Sequence, residues 1–221
     1  MVNNQSRPEW SKNLLTDSEI EKLAHLVKES EQHTQGEIVP ILVRRSASVG
    51  HVPLLMLSSL LILLFIIERT WVALFWGLWP TWIYLPGMLI LIAVSLFLSR
   101  FDCFQRWFTS NQDESNQVFL RAQLEFHLSP VHQTRAGTGI LIFASLMERR
   151  AVILADRAIS DKVPQETWNE VSQLLTQEFK NKKYAAGFEK AILRSAELLK
   201  AHLPAEKHNP NEVCNQLVIK D

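Results

Sequence analysis

Cysteine is nearly absent from this chain. Cys103 and Cys214 are the only two in 221 residues, too few for a disulfide framework or a cysteine-rich zinc site. An excess of charge of either sign is missing too, since 23 basic residues balance 23 acidic ones. A general nucleic-acid binder needs a basic face, and an acidic disordered tail needs the reverse, so both classes fall away. The common catalytic signatures HExxH, GxSxG, the Walker loop and GxGxxG do not occur. Gly137-Thr138-Gly139 comes nearest to a phosphate loop. It leads into a predicted strand, so no helix N-terminus is offered to a phosphate, and a turn is the simpler reading.

The scarcity of charge is also local. Residues 52–99 carry Glu68 and Arg69 and no other charged side chain, while the rest of the chain holds the remaining 44. That remainder has the charge density of a soluble domain, and the 52–99 block does not. Two uncharged runs of 19 residues stand out, VGHVPLLMLSSLLILLFII over 49–67 and TWIYLPGMLILIAVSLFLS over 81–99. As a helix each would span about 28 Å, close to the thickness of a bilayer core. Neither has the polar stripe of a buried core helix. A single span through 54–79 would carry Glu68 and Arg69 into the membrane at about 2.5–3.5 kcal/mol each. Two spans with a turn at 68–80 avoid that cost.

Aromatic residues frame the turn. Trp71, Trp76, Trp79, Trp82 and Tyr84 suit the headgroup level, where amphipathic rings are favoured. Arg44 and Arg45 precede the first run and Arg100 and Arg106 follow the second, against Arg69 alone in the turn. This asymmetry places both flanks in the cytoplasm. The expectation is a multi-pass protein of the plasma (inner) membrane with both termini cytoplasmic and the lipid bilayer as its first partner.

The flanking pieces read as α/β. Thr16 and Glu19 form a capping box, with Leu15 and Ile20 in the staple positions. Ile20, Leu23, Ala24 and Val27 follow at helical spacing, and Gly36 ends the helical region. The run EIVPILV over 37–43 is a strand, which Pro40 marks as an edge or a bulge. A second helix is predicted over 113–128, with Phe119, Ala122 and Phe126 on its inner face and Leu120 and Leu124 adjoining. The run 138–147 predicts a strand buried on both faces, returning through a short turn into 151–155. Pro164 opens a third helix with Trp168, Val171, Leu174, Leu175 and Phe179 inward. A fourth runs over 184–202, with Phe188, Ala191, Ile192, Ser195 and Leu199 inward. The tail reads as irregular.

Residues 16–45 are too few to bury a core alone, so they must pack with the second piece. The predicted organisation is 1–48 and 113–203 as two parts of one domain, a hairpin at 49–99, a juxtamembrane linker at 100–112 and a tail at 204–221. The strands at 37–43 and 138–147 with the helix 113–128 would form a right-handed βαβ unit, with the hairpin inserted into its crossover.

The chemistry is sparse. His127 and His132 are five apart across a helix break, without regular ligand geometry. Asp156, Asp161 and Glu166 fall within eleven residues at a strand end. Such carboxylates can gather a hard cation, Ca²⁺ or Mg²⁺, and Asp161 capping the next helix explains them equally well.

Several stretches resemble the TPM domain family. LLTDSEIEKLAHLVKESEQHTQGEIVPILV resembles its first helix and strand, and TGILIFASLMERRAVILADRAI its strand-turn-strand core. EVSQLLTQEFKNKKYAAGFEKAI resembles its closing helices, with a Tyr-x-x-Gly step at Tyr184 and Gly187. NPNEV resembles the C-terminal motif of a bacterial membrane subgroup whose domain is interrupted by a hairpin. The resemblance implies a sandwich of a small mixed sheet flanked by helices. It also implies a phosphatase description, divalent-cation binding at an acidic sheet end in some members, and assembly or repair of membrane complexes in others. Where the family is glycine-rich this chain reads ADRAISDKVPQETW, with Asp156 in the glycine's place. The reading is therefore a TPM-like domain at the cytoplasmic face that binds or assembles with a membrane-protein partner, or with a second copy of itself. The alternative is a metal-assisted phosphoester hydrolase using Asp156 and Asp161.

Overall fold

The structure is a computed structural model and describes residues 7–46, 52–75, 84–98, 111–134, 136–205 and 213–221. Within the helices at 52–75 and 84–98, side chains are described at 54–64, 67 and 89–98. The chain divides into two compact units, residues 1–47 with 115–221, and residues 48–114.

The larger unit is an α/β sandwich. After a helical turn α1 (Glu9–Lys12), helix α2 covers Asp17–Glu31. Its capping box forms as its residues predict. The Thr16 hydroxyl accepts from the Glu19 N–H at 3.3 Å, and the Glu19 carboxylate accepts from the Thr16 N–H at 2.7 Å. The helix stops at Glu31, one turn before Gly36. Strand β1 covers Glu37–Val43, β2 Gly139–Ser145 and β3 Arg150–Ala155, each close to its predicted range. Helix α5 (Asn111–Leu128) and a 3₁₀ turn at Pro130–Gln133 precede β2. A helical turn α6 (Arg157–Ser160) follows β3, then α7 (Gln165–Lys180) and α8 (Tyr184–His202).

The sheet order is β3-β2-β1-β4, where β4 is Val218–Lys220. β1 pairs with β2 in parallel and β2 with β3 antiparallel. The tail is thus not wholly irregular. β4 adds to β1 in parallel, with Ile41 opposite Val218 and Val43 opposite Lys220. Pro40 is therefore not on an edge strand, but β4 stops short of it. The Glu37 N–H donates to Thr138 on the β2 side, so the N–H groups of residues 38 and 40 point the other way. Proline has no N–H to lose there, and the Ile38 N–H is taken by Glu31.

Strand alternation sorts the core into two layers. Ile38, Leu42, Ile140, Ile142, Ala144 and Ile153 face α2, α7 and α8. Val39, Ile41, Val43, Leu141 and Phe143 face α5, through Val118, Ala122 and Phe126. Val118 replaces the predicted Phe119, which is exposed. Gly187 lets α7 and α8 approach, since a Cβ there would lie 2.9 Å from a Leu175 methyl.

The smaller unit contains α3 (Val52–Phe75) and α4 (Tyr84–Leu98), packed on each other. Here the boundary differs from expectation. α3 continues eight residues past Ile67 and takes Glu68 and Arg69 into the helix. Neither glycine nor proline interrupts the chain between Pro53 and Gly77, so nothing breaks it earlier. Among the described residues no helix is long and apolar enough to cross a membrane. The expected spans at 49–67 and 81–99 are therefore not shown as spans, and they lie partly outside the described residues.

Candidate functional site

The three carboxylates singled out by spacing occupy separate positions. Asp156 caps α6, accepting from the Arg157 N–H at 2.7 Å. Asp161 is exposed at the other end of that turn, and Glu166 is exposed in the first turn of α7. A helical turn between Asp156 and Asp161 separates the two by about 7 Å along its axis, and Pro164 then redirects the chain. Among the described residues no group of three or more His, Cys, Asp or Glu could hold a metal ion. The Ca²⁺ or Mg²⁺ expectation thus finds no gathered ligand set in these three residues. Gly137 forms the turn that feeds β2, at φ 64°. Its N–H donates to the Thr134 carbonyl and the Thr138 N–H to the Thr134 hydroxyl, each at 3.1 Å, so these two N–H groups are not offered to a phosphate.

Two histidines that lacked a geometric rationale do meet. The rings of His127 and His132 are 4.9 Å apart, edge to face, and each lies against Phe126. An edge-on ring aims at the neighbour's π face rather than at a shared ion. Of the residues expected at a membrane interface or at its cytoplasmic flank, Trp76, Trp79, Trp82, Arg100 and Arg106 lie outside the described residues. So do the side chains of Trp71 and Tyr84. Arg44 is exposed and Arg45 half-buried.

A polar groove of about 530 Å³ runs between α7, the outer edge of β3 and the start of α5's inner face. Its floor is set by two hydroxyls on α7. Ser172 Oγ accepts from the Ile153 N–H at 3.1 Å and Thr176 Oγ1 from the Ala151 N–H at 3.0 Å. Ser172 also donates to the Trp168 carbonyl. Arg150 and Lys180 bring positive charge, and Asn116, Gln165, Asn169 and Gln173 bring amides. Among the described residues the lining contains no carboxylate, thiol or imidazole. It can hydrogen-bond a polar or anionic group, but it assembles no nucleophile with a base. Its sequence signal was the pair Ser172 and Thr176, one helical turn apart, beside the apolar face of α7.

Glu31 is the other chemically unusual group. It is buried at the end of α2, with Oε1 accepting from Ile38 N–H at 2.8 Å and Oε2 accepting from the Asn215 side-chain amide. Burial pushes its carboxyl up to about 8, aided by the neighbouring Glu37 and opposed by the two hydrogen bonds. This group fastens the tail beside β1. It has no counterpart in the sequence reading, because a glutamate at a helix end is ordinarily solvated.

Fold and groove together define an α/β sandwich with a groove lined by amides, hydroxyls and two cations. Residues 93–198, from α4 to α8, match the family model of the TPM domain. The chain is similar in fold to the NMR structure of the BA42 protein from the psychrophilic bacterium Bizionia argentinensis. That match has a TM-score of 0.58 and 18% identity, over 93% of this chain and 94% of that one. A comparison with curated proteins finds no match.

Proposed function

We propose that this chain is a TPM-domain protein anchored in a membrane by the α3–α4 hairpin, with the sandwich acting as a binding or assembly module at the cytoplasmic face. The observation that carries the reading is the surface of the hairpin itself. Leu54, Leu55, Ile62, Leu63, Ile67, Leu89, Ile90, Leu96 and Phe97 are all exposed on α3 and α4. Water disfavours a patch of this extent, and a bilayer does not. The serines are consistent with lipid. Ser58 and Ser59 donate to the carbonyls of Leu55 and Met56 at 2.8 Å, so their hydroxyls are satisfied within the helix. The groove favours binding over catalysis because its described lining brings together amides and cations and sets no base beside its hydroxyls.

The test is fractionation and topology of the full chain. Carbonate-resistant sedimentation with membranes is expected. A reporter fused after Phe75 is expected to be active outside the cytoplasm and one at the C-terminus inside. Release of the full chain into the soluble fraction, or cytoplasmic activity at both fusion points, would refute the anchor. The partner is approached by crosslinking in membranes at Gln173→Cys in the groove.

A further inference from the structure

Helix α5 carries two apolar rows. Val118, Ala122 and Phe126 face the sheet. Leu120, Leu124 and Leu128 repeat every four residues and are 62%, 51% and 68% exposed. At 100° per residue the second row lies on the side of the helix opposite the first. Such a row, joined by the exposed Phe119, is a surface shaped for cover.

We infer that the outer leucine row of α5 rests on the lipid surface, holding the sandwich against the membrane that anchors it. The inference rests on the hairpin being inserted in that membrane. Twelve residues separate Leu98 at the end of α4 from Asn111 at the start of α5. Fully extended they reach about 40 Å. The bilayer is thus an apolar surface that α5 meets at high effective concentration without a separate encounter. Charge points the same way. Between Ser115 and Leu128 the one carboxylate is Glu125, which is buried and paired with Arg121 and Lys220. No exposed carboxylate in that stretch faces the lipid phosphates, and the nearest exposed one before it, Asp113, precedes Leu120 by nearly two turns. His127, exposed beside the row, carries a ring N–H able to donate a hydrogen bond to headgroup oxygens. An interfacial helix buries its apolar face to about 5–10 Å in the headgroup region.

The test uses the full chain with Cys103→Ser and Cys214→Ser in phosphatidylcholine–phosphatidylglycerol vesicles. One nitroxide at a time is placed at Ile62→Cys in the hairpin, Leu124→Cys in the row or Glu170→Cys on α7. Power saturation compares collision with oxygen, which concentrates in lipid, and with a nickel chelate, which stays in water. The expected result is an oxygen-to-nickel ratio at position 124 several-fold above that at 170 and approaching that at 62. A ratio at 124 equal to that at 170 would put the row in water and overturn the inference. So would protection of 124 from both probes, which would mean cover by protein or by a second copy. In either case a lipid signal at 62 would leave the anchor standing. A water signal at 62 would remove the anchor and this inference with it.

Discussion

The two faces of the sheet are covered unequally. Three helices bury one face, with Trp168, Phe179 and Phe188 fully enclosed. The other face has α5 and the short turn before β2, and Val152, Leu154 and Val218 stay partly exposed beside them. Burial scales with the number of atoms brought into contact, so the first face carries more of the stability. The second face is thinner and keeps an apolar exterior. A helix that stabilises a fold from one side and offers leucines on the other suits a place between a core and a second apolar phase.

The sharpest way to break this contrast is to empty each side in turn. Phe188→Ala should cost about 3–5 kcal/mol, as a fully buried aromatic leaves a cavity that three helices cannot close. Phe126→Ala should cost about 3 kcal/mol or less, because α5 alone can settle inward. Urea unfolding of the full chain in detergent checks both, and equal losses would remove the asymmetry. Glu31 offers a test by pH. Its carboxyl is held up near 8 in the folded chain and returns to about 4.5 when unfolded. The native state therefore binds the extra proton between those values, and this contribution to stability is full below about 4.5 and is lost as pH rises through about 8. The wild-type curve should fall relative to that of Glu31→Gln by up to about 1.4 kcal/mol per pH unit in that window. Parallel curves would mean an ordinary carboxylate. Thr16→Ala should remove about 1 kcal/mol, the usual value of a cap, from the thick side. Leu124→Ser on the outer row should change detergent stability by less than about 0.5 kcal/mol, and a larger loss would show that the row is packed.

The regular elements were legible because their periodicity is long. The positions Trp168, Val171, Leu175 and Phe179 on α7, and Phe188, Ala191, Ile192 and Leu199 on α8, are apolar at helical spacing and are buried. The near-continuous apolar run of β2 was equally readable, and that strand is buried throughout. What escaped was set by tertiary contact. β4 is three residues long and becomes a strand because β1 has an open edge beside it. The burial of Glu31 depends on a tail 184 residues away. The groove needed the approach of α7 to β3, and only its two hydroxyls left a local trace. For Asp156, Asp161 and Glu166, closeness along the chain left open which of them share a side of the fold. One helical turn was enough to part the first two.

The outer margins of the sheet have a consequence for life at a crowded surface. On β3, Ser172 and Thr176 occupy the outward N–H groups of Ile153 and Ala151. On β1, Glu31 takes the Ile38 N–H, proline removes the next, and β4 occupies the remainder with only three residues of its own. Copies confined to two dimensions collide often and in few orientations, the conditions under which unsatisfied strands zip into fibres. Here neither margin presents a continuous ladder to a neighbour. At the membrane proposed above, edge-to-edge pairing along β3 and β1 would thus be interrupted.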